Sequence, residues 1–345
     1  MINLLNRNPA SRYGRRMNDP QAMLRLIDLT KEYDTDGDAE RRVLAADRVN
    51  LEVPAGEVFG LVGPNGAGKS TTLKMICGLL LPTSGRVLVN NVDVELHRET
   101  AQRYIGYLSD FFSLYDELTV TEYLQYFARA YKLPPDSIPG RITDVVLRVG
   151  LESKRDAAIA GLSRGMKQRL GIARAVIHDP ALLVLDEPAA GLDPKARHDL
   201  KQLLRAFQGR GRTIVITSHV LPDLEEICTS IGILEKGHLI RVGKIEEILQ
   251  SGPGPEAGGA TAPRVIRIRL STPGFALESW LAARTGVSRV AASRMGTLFE
   301  FAGSDADVSE LVTALVTAGA PLAAVEQPGL SLEEAYTRIA KGEVM

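Results

Sequence analysis

The sequence predicts an α/β protein: a mainly parallel sheet with helices on both faces, interrupted by an all-helical insertion and followed by a small α+β domain. Three observations carry that prediction. Val58-Phe59-Gly60-Leu61-Val62 is an apolar strand that runs through a glycine loop, Gly63 to Thr71, into the helical composition of Thr72 to Cys77. Ala181-Leu182-Leu183-Val184-Leu185 is a run of consecutive apolar residues, the pattern of a strand buried on both faces. Ser251 to Ala260, rich in Gly and Pro, separates these elements from a βαββαβ order of ferredoxin-like type that ends the chain.

The composition is that of an ordinary globular chain. Of 345 residues, 45% are hydrophobic and 24% charged, and the formal net charge is −1, so no overall basic field draws nucleic acid. Cys77 and Cys228 are the only cysteines; both read as buried free thiols, which fits a reducing compartment. No apolar run reaches the ~18 residues that span a bilayer. Residues 1–20 hold Arg7, Arg12, Arg15 and Arg16 without a continuous apolar core, and read as a flexible extension, or as an upstream start with Met17 the true one.

In chain order, Leu24–Leu29 alternates at period two and predicts a half-buried strand, as does Val49–Val53. Pro54-Ala55-Gly56-Glu57 turns the chain into the strand before the glycine loop. Val87–Val89 and Ile105–Leu108 are the next strands. A helical block spans about residues 117–180. Thr119-Val120-Thr121-Glu122 is a capping box opening a helix whose Tyr123, Leu124, Tyr126, Phe127 and Tyr131 recur at helical spacing and are expected in the core. Pro134-Pro135 ends it, and a second helix, Arg141 to Val149, stops at Gly150. After the apolar strand at 181–185, Asp193 caps a helix with Pro194 at its first position. Thr213–Thr217 is a buried strand, and Ile231–Glu235 with His238–Val242 a hairpin around Lys236-Gly237. The domain assignment is therefore 1–20 extension, 21–250 main domain, 251–263 linker and 264–345 accessory domain. The last has strands at 265–270, 287–292, 297–301 and 322–325 and helices near 277–284, 308–318 and after Ser331.

The glycine loop is where chemistry concentrates. Gly63, Pro64, Asn65, Gly66, Ala67, Gly68, Lys69, Ser70 and Thr71 form a P-loop, whose glycines let backbone N–H groups turn inward as an anion nest at a helix N-terminus. Lys69 is placed for the outer phosphates of a nucleoside triphosphate and Ser70 for a magnesium ion. Asp186 and Glu187, at the C-terminal end of the apolar strand, sit where open α/β sheets bind ligands. Asp186 is the expected metal ligand, Glu187 the group that deprotonates the attacking water, and His219, at the end of the next buried strand, can report on the γ-phosphate.

Taken together these motifs resemble the nucleotide-binding subunit of an ABC transporter over about residues 24–250. The resemblance implies an antiparallel β subdomain beside the P-loop core, Tyr33 stacking on adenine, and a D-loop at Gly191-Leu192-Asp193-Pro194. Leu162-Ser163-Arg164-Gly165-Met166 is similar to the family signature. It makes Ser163 and Gly165 a phosphate-binding helix N-terminus that serves a second ATPase subunit in a head-to-tail dimer sandwiching two ATP molecules. Arg164 and Met166 depart from the family pattern. Asp110 stands where the family has glutamine, and is expected to lie near magnesium as an oxygen ligand. ATP and Mg2+ are the implied cofactors. The linker, the C-terminal domain and the signature resemble the ABC-2 exporter branch. That implies an ATPase motor held peripherally at the cytoplasmic face of the membrane by a separate integral-membrane permease, with Phe111 to Tyr115 as the dock. Two other readings accompany this one: an ABC ATPase acting on ribosomes or DNA, disfavoured by the single cassette and the absence of heptads, and a non-hydrolysing coupler, disfavoured by intact Lys69, Asp186, Glu187 and His219.

Overall fold

The computed structural model describes residues 22–34, 42–112, 114–250, 264–293, 296–327 and 331–340. The N-terminal extension and the linker expected at 251–263 lie outside them. The chain divides into two compact units. One takes the chain up to His219 together with Leu234–Ile240; the other takes Val220–Ile233 and everything from Arg241 onward.

The first unit begins with β1 (Ala22–Asp34) and β2 (Arg42–Pro54), an antiparallel pair longer than the alternating stretches predict. Next come β3 (Val58–Val62) and α1 (Lys69–Ile76), then β4 (Ser84–Val89), which pairs with β1. The two-residue β5 (Val92–Asp93) and the single-turn α2 (Arg98–Gln102) follow, both too short to leave a periodic signal. The sheet order β2-β1-β4-β5 is the antiparallel subdomain. Leu24, Leu26 and Leu29 of β1 face one core with Phe59, Leu61, Leu73, Met75, Ile76, Leu182 and Val215. Each such aliphatic side chain contributes about 1.5–3 kcal/mol by leaving water.

β6 (Ile105–Leu108), α3 (Val120–Ala130), α4 (Ile138–Arg148), α5 (Arg164–Val176), β7 (Leu182–Leu185), α6 (Pro194–Gln208) and β8 (Thr213–Thr217) complete that unit's regular elements. β3, β8, β7 and β6 lie side by side in that order, all parallel. The insertion α3–α5 therefore interrupts the sheet between β6 and β7, as the sequence predicts. The capping box at Thr119 and Glu122 forms, and Asp193 caps α6 by accepting from the Ala196 amide at 2.8 Å. α4 starts three residues earlier than predicted, because Pro139 in its first turn leaves no amide unpaired there. The aromatic stripe on α3 splits: Tyr123 is buried, whereas Tyr126 and Tyr131 are exposed rather than in the core.

Where α5 ends, Arg141 of α4 closes it. Its Nε donates to the Ile177 carbonyl at 2.7 Å and one terminal nitrogen to the Val176 carbonyl at 2.9 Å. Beside this cap His178 stacks on Tyr131 with ring centroids 3.7 Å apart, and its Nε2 lies 3.0 Å from the Ile105 carbonyl. Burial lowers the His178 pKa to about 4. Because the unfolded imidazole takes up its proton near 6.5, the folded state loses stability as pH falls through that value and on towards 4. The His178 contribution to the melting temperature should therefore be constant above pH 7 and decline from about 6.5 to 4. In His178→Phe, which keeps the stack and removes the proton site, thermal scans across that range should show a shallower decline.

The hairpin β9 (Ser230–Glu235) and β10 (His238–Lys244) turns at Lys236 and Gly237, both with positive φ, the signature of a tight two-residue turn. α7 (Leu221–Ile227) and α8 (Ile245–Gln250) belong to the second unit with the accessory elements β11 (Arg264–Leu270), α9 (Leu277–Ala282), β12 (Val287–Ser293), β13 (Gly296–Phe301), α10 (Asp305–Thr317), β14 (Leu322–Glu326) and α11 (Leu332–Ala340). The sheet order β12-β13-β11-β14, wholly antiparallel, is what a βαββαβ chain forms when its two helices cover one face. Ile266, Ile268, Phe299 and Phe301 meet Leu277, Leu281, Leu311 and Leu315 on that face. Cys77 and Cys228 are free and buried. Among the described residues no helix is long and apolar enough to cross a membrane.

Candidate functional site

Parallel strands bring their C-terminal ends to one edge, and four of the motifs leave the sheet there. The glycine loop follows β3, Ser109-Asp110 follows β6, Asp186-Glu187 follows β7, and Ser218-His219 follows β8.

The loop is held closely from behind. A Cβ on Gly63 would stand 2.2 Å from the Leu234 carbonyl oxygen, and one on Gly68, where φ is +102°, 1.9 Å from that of Ala45. Only glycine lets the loop lie this near the neighbouring backbone. Gly237 donates to the Ala67 carbonyl at 3.0 Å and anchors the loop's centre. Gly68 caps α1 without a side chain, so the first-turn amides are left for an anion, while Pro64, Asn65, Gly66 and Ser70 are exposed. Lys69 is buried; its Nζ donates to the carbonyls of Gly63 at 2.7 Å and Pro64 at 3.2 Å. Burial lowers its pKa, with Glu187 and Asp186 opposing that shift.

The two carboxylates are separated by environment. Asp186 is buried, its amide donates to the Leu108 carbonyl at 2.8 Å, and its Oδ1 accepts from the Thr217 hydroxyl at 2.7 Å. Glu187 takes a left-handed backbone, φ +48°, and its amide donates to the same Thr217 oxygen at 2.9 Å. Its Oε2 accepts from the His219 amide at 3.2 Å and lies 2.7 Å from His219 Nδ1. His219 is thus set against Glu187 directly, a pairing that the sequence reading, with its eye on the phosphate, does not anticipate.

Asp110 is exposed, and its carboxyl is raised in pKa first by desolvation and then by the negative charges of Asp186 and Glu187, against His219 and Arg164. Among the described residues no three His, Cys, Asp or Glu side chains converge closely enough to hold a metal ion. The donors present are oxygens, the Asp186 carboxylate and the Ser70 hydroxyl. They suit a hard cation such as Mg2+, with phosphate oxygens completing its shell, rather than a cage of protein ligands alone. Site and cofactor fit on those terms.

The remaining predicted residues sit on other elements. Ser163 caps α5 and accepts from the Met166 amide at 3.3 Å; Gly165 follows it, close against Ala196 of α6. Arg164 lies across Gly191 and donates to the Ala190 carbonyl at 3.0 Å, joining the start of α5 to the loop before α6. That contact has no local sequence signal. Tyr33 is half-exposed on β1 with Lys31 Nζ 5.3 Å above its ring; the neighbouring pairs of that ladder, Glu32 with Leu44 and Lys31 with Ala46, lead back to the Ala45 carbonyl behind Gly68. Phe111 is 92% exposed, whereas the ring of Phe112 packs on Gly171 and under Arg174. Ser113 lies outside the described residues.

Comparison with known proteins points one way. A sequence profile described as ABC transporter matches residues 46–190. The Nod factor export ATP-binding protein I of Rhizobium etli is 38% identical over 243 residues, covering 70% of this chain and 76% of that protein. Its counterpart in Rhizobium meliloti is 41% identical over 225 residues, and there the alignment spans 65% of each chain. Among solved structures, an ATP-binding subunit of an ABC transporter superposes with TM-score 0.57 at 34% identity over 66% of this chain and 91% of that one. A dimeric ATP-binding cassette in a post-hydrolysis state with ADP and phosphate gives 0.58 at 29% identity over 65% and 99%.

Proposed function

Since the chain belongs to the ABC transporter family, we propose that it is an ATP-hydrolysing subunit that pairs with a second copy of itself and drives a separate membrane permease as an exporter of the ABC-2 type. One observation carries this reading: the glycine loop, Asp186, Glu187 and His219 leave adjacent parallel strands on a single sheet edge, with Glu187 already oriented.

The P-loop amides and Lys69 would receive the phosphates, Tyr33 the base, and Ser70 and Asp186 would hold magnesium, with Asp110 as a further oxygen donor. Bound magnesium offsets charge on the outer phosphates of ATP. Glu187 accepts the proton of the attacking water, and His219 holds its Oε2 from two nitrogens, fixing the direction from which the carboxylate acts. Ser163 and Gly165 serve the nucleotide of the partner copy. The curated relatives named above are Nod factor export ATP-binding proteins, which supports the exporter direction. Solute choice would rest with the permease.

The membrane contact is assigned to Phe111, because so exposed an aromatic ring next to Asp110 has no role in this chain's own packing. Co-expression with its permease should move the chain into the membrane fraction. Phe111→Ala should lower that fraction about tenfold while ATP turnover of the isolated chain and its melting temperature stay unchanged. Retention of Phe111→Ala on the membrane at the wild-type level would move the dock elsewhere.

A further inference from the structure

Thr217 ends a strand that is otherwise apolar between Ile214 and Ile216, and it is fully buried. A buried hydroxyl has one proton to give and two lone pairs to offer, and this one is used in both senses. It donates to Asp186 Oδ1 at 2.7 Å and accepts from the Glu187 amide at 2.9 Å. No valine-like side chain of the same shape could do either.

We infer that Thr217 is a positioning residue for hydrolysis: one hydroxyl sets the Asp186 carboxylate and the Glu187 backbone together, so that the metal-holding and proton-accepting groups keep a single spacing. The inference rests on the ATPase reading above and deepens it. Three features support it. The bond to Oδ1 fixes the rotation of the Asp186 carboxylate, whose amide is tied separately to β6 through Leu108. The left-handed φ of Glu187 is costly for a residue with a Cβ and persists only where surroundings impose it. The Thr217 oxygen is the acceptor that receives its amide in that conformation. Finally, His219 is two residues further along and grips the Glu187 carboxylate, so the end of β8 holds Glu187 at both its backbone and its side chain. Partners that orient metal ligands in this way typically matter ~10–100-fold in metal affinity or activity.

The test uses the full chain and three substitutions of Thr217, with Lys69→Ala as the control on the ATPase reading. Thr217→Val should lower kcat for ATP by ~10–100-fold with KM changed less than about twofold. A second readout needs no turnover: the gain in ATP affinity on adding Mg2+ over an excess of chelator, measured with a fluorescent ATP analogue. That gain should shrink by about tenfold in Thr217→Val. Thr217→Ser, which keeps the hydroxyl, should restore both quantities to within about threefold of wild type. Should the valine variant fail to fold, Thr217→Ala takes its place. Wild-type kcat and a wild-type magnesium gain in a folded variant lacking the hydroxyl would overturn the inference. So would a serine variant that melts normally yet is as impaired as valine. A wild-type chain without ATPase activity, or one whose Lys69→Ala variant is equally active, would instead sink the ATPase reading itself.

Discussion

Lys69→Ala should hydrolyse ATP at a rate reduced by ~10²–10³-fold. The ammonium group is the only side-chain cation that the loop itself carries, and the proposed function sets it against the outer phosphates of ATP. Burial strengthens its effect, because a charge lifted out of water is less screened than one at the surface. In the structure the lysine donates to the Gly63 and Pro64 carbonyls at 2.7 and 3.2 Å. Alanine removes those bonds as well, so the variant's melting curve should be recorded beside its phosphate release. A folded Lys69→Ala subunit with the wild-type rate would show that phosphate is held elsewhere.

The second large effect is at Glu187. Glu187→Gln should lose ~10²–10⁴-fold in kcat yet retain ATP, since an amide fills the same space but takes no proton. The surroundings favour retention of the fold, because the glutamine oxygen can still accept from the His219 amide and the left-handed backbone still bonds Thr217. With hydrolysis blocked, the ATP-bound form should accumulate as a dimer, visible as a doubled mass in light scattering with Mg-ATP. A strictly monomeric variant at saturating Mg-ATP, in the presence of the permease, would count against the sandwich of two subunits.

The sequence made the architecture legible wherever the cause is local. A period of two reports a half-buried strand, five apolar residues a central one, and a Thr-x-x-Glu box a helix start, because each reflects interactions within a few residues. The loop from Gly63 to Thr71 was readable for the same reason, since its glycines answer a local demand for backbone freedom. The departures come from places where burial is decided by distant neighbours. Tyr126 and Phe127 are adjacent on one helix, but only the tertiary packing leaves the first exposed and half-buries the second. Phe111 and Phe112 divide likewise, one bare and one against α5.

The sequence by itself therefore determined the main strands and helices, the glycine loop and the chemical identities of Asp186, Glu187 and His219, but not short elements such as β5 and α2. The tertiary structure alone decided how those groups are held. Thr217 reaches Asp186 and Glu187 across 31 and 30 positions of chain, His219 reaches Glu187 across 32, and Arg164 reaches Ala190 across 26. No periodicity or spacing encodes such pairs. The Thr217 and His219 pairs exist because parallel strands place residues far apart in sequence at one sheet edge, and for the buried Thr217 hydroxyl a group left unpaired there would cost about 1–3 kcal/mol.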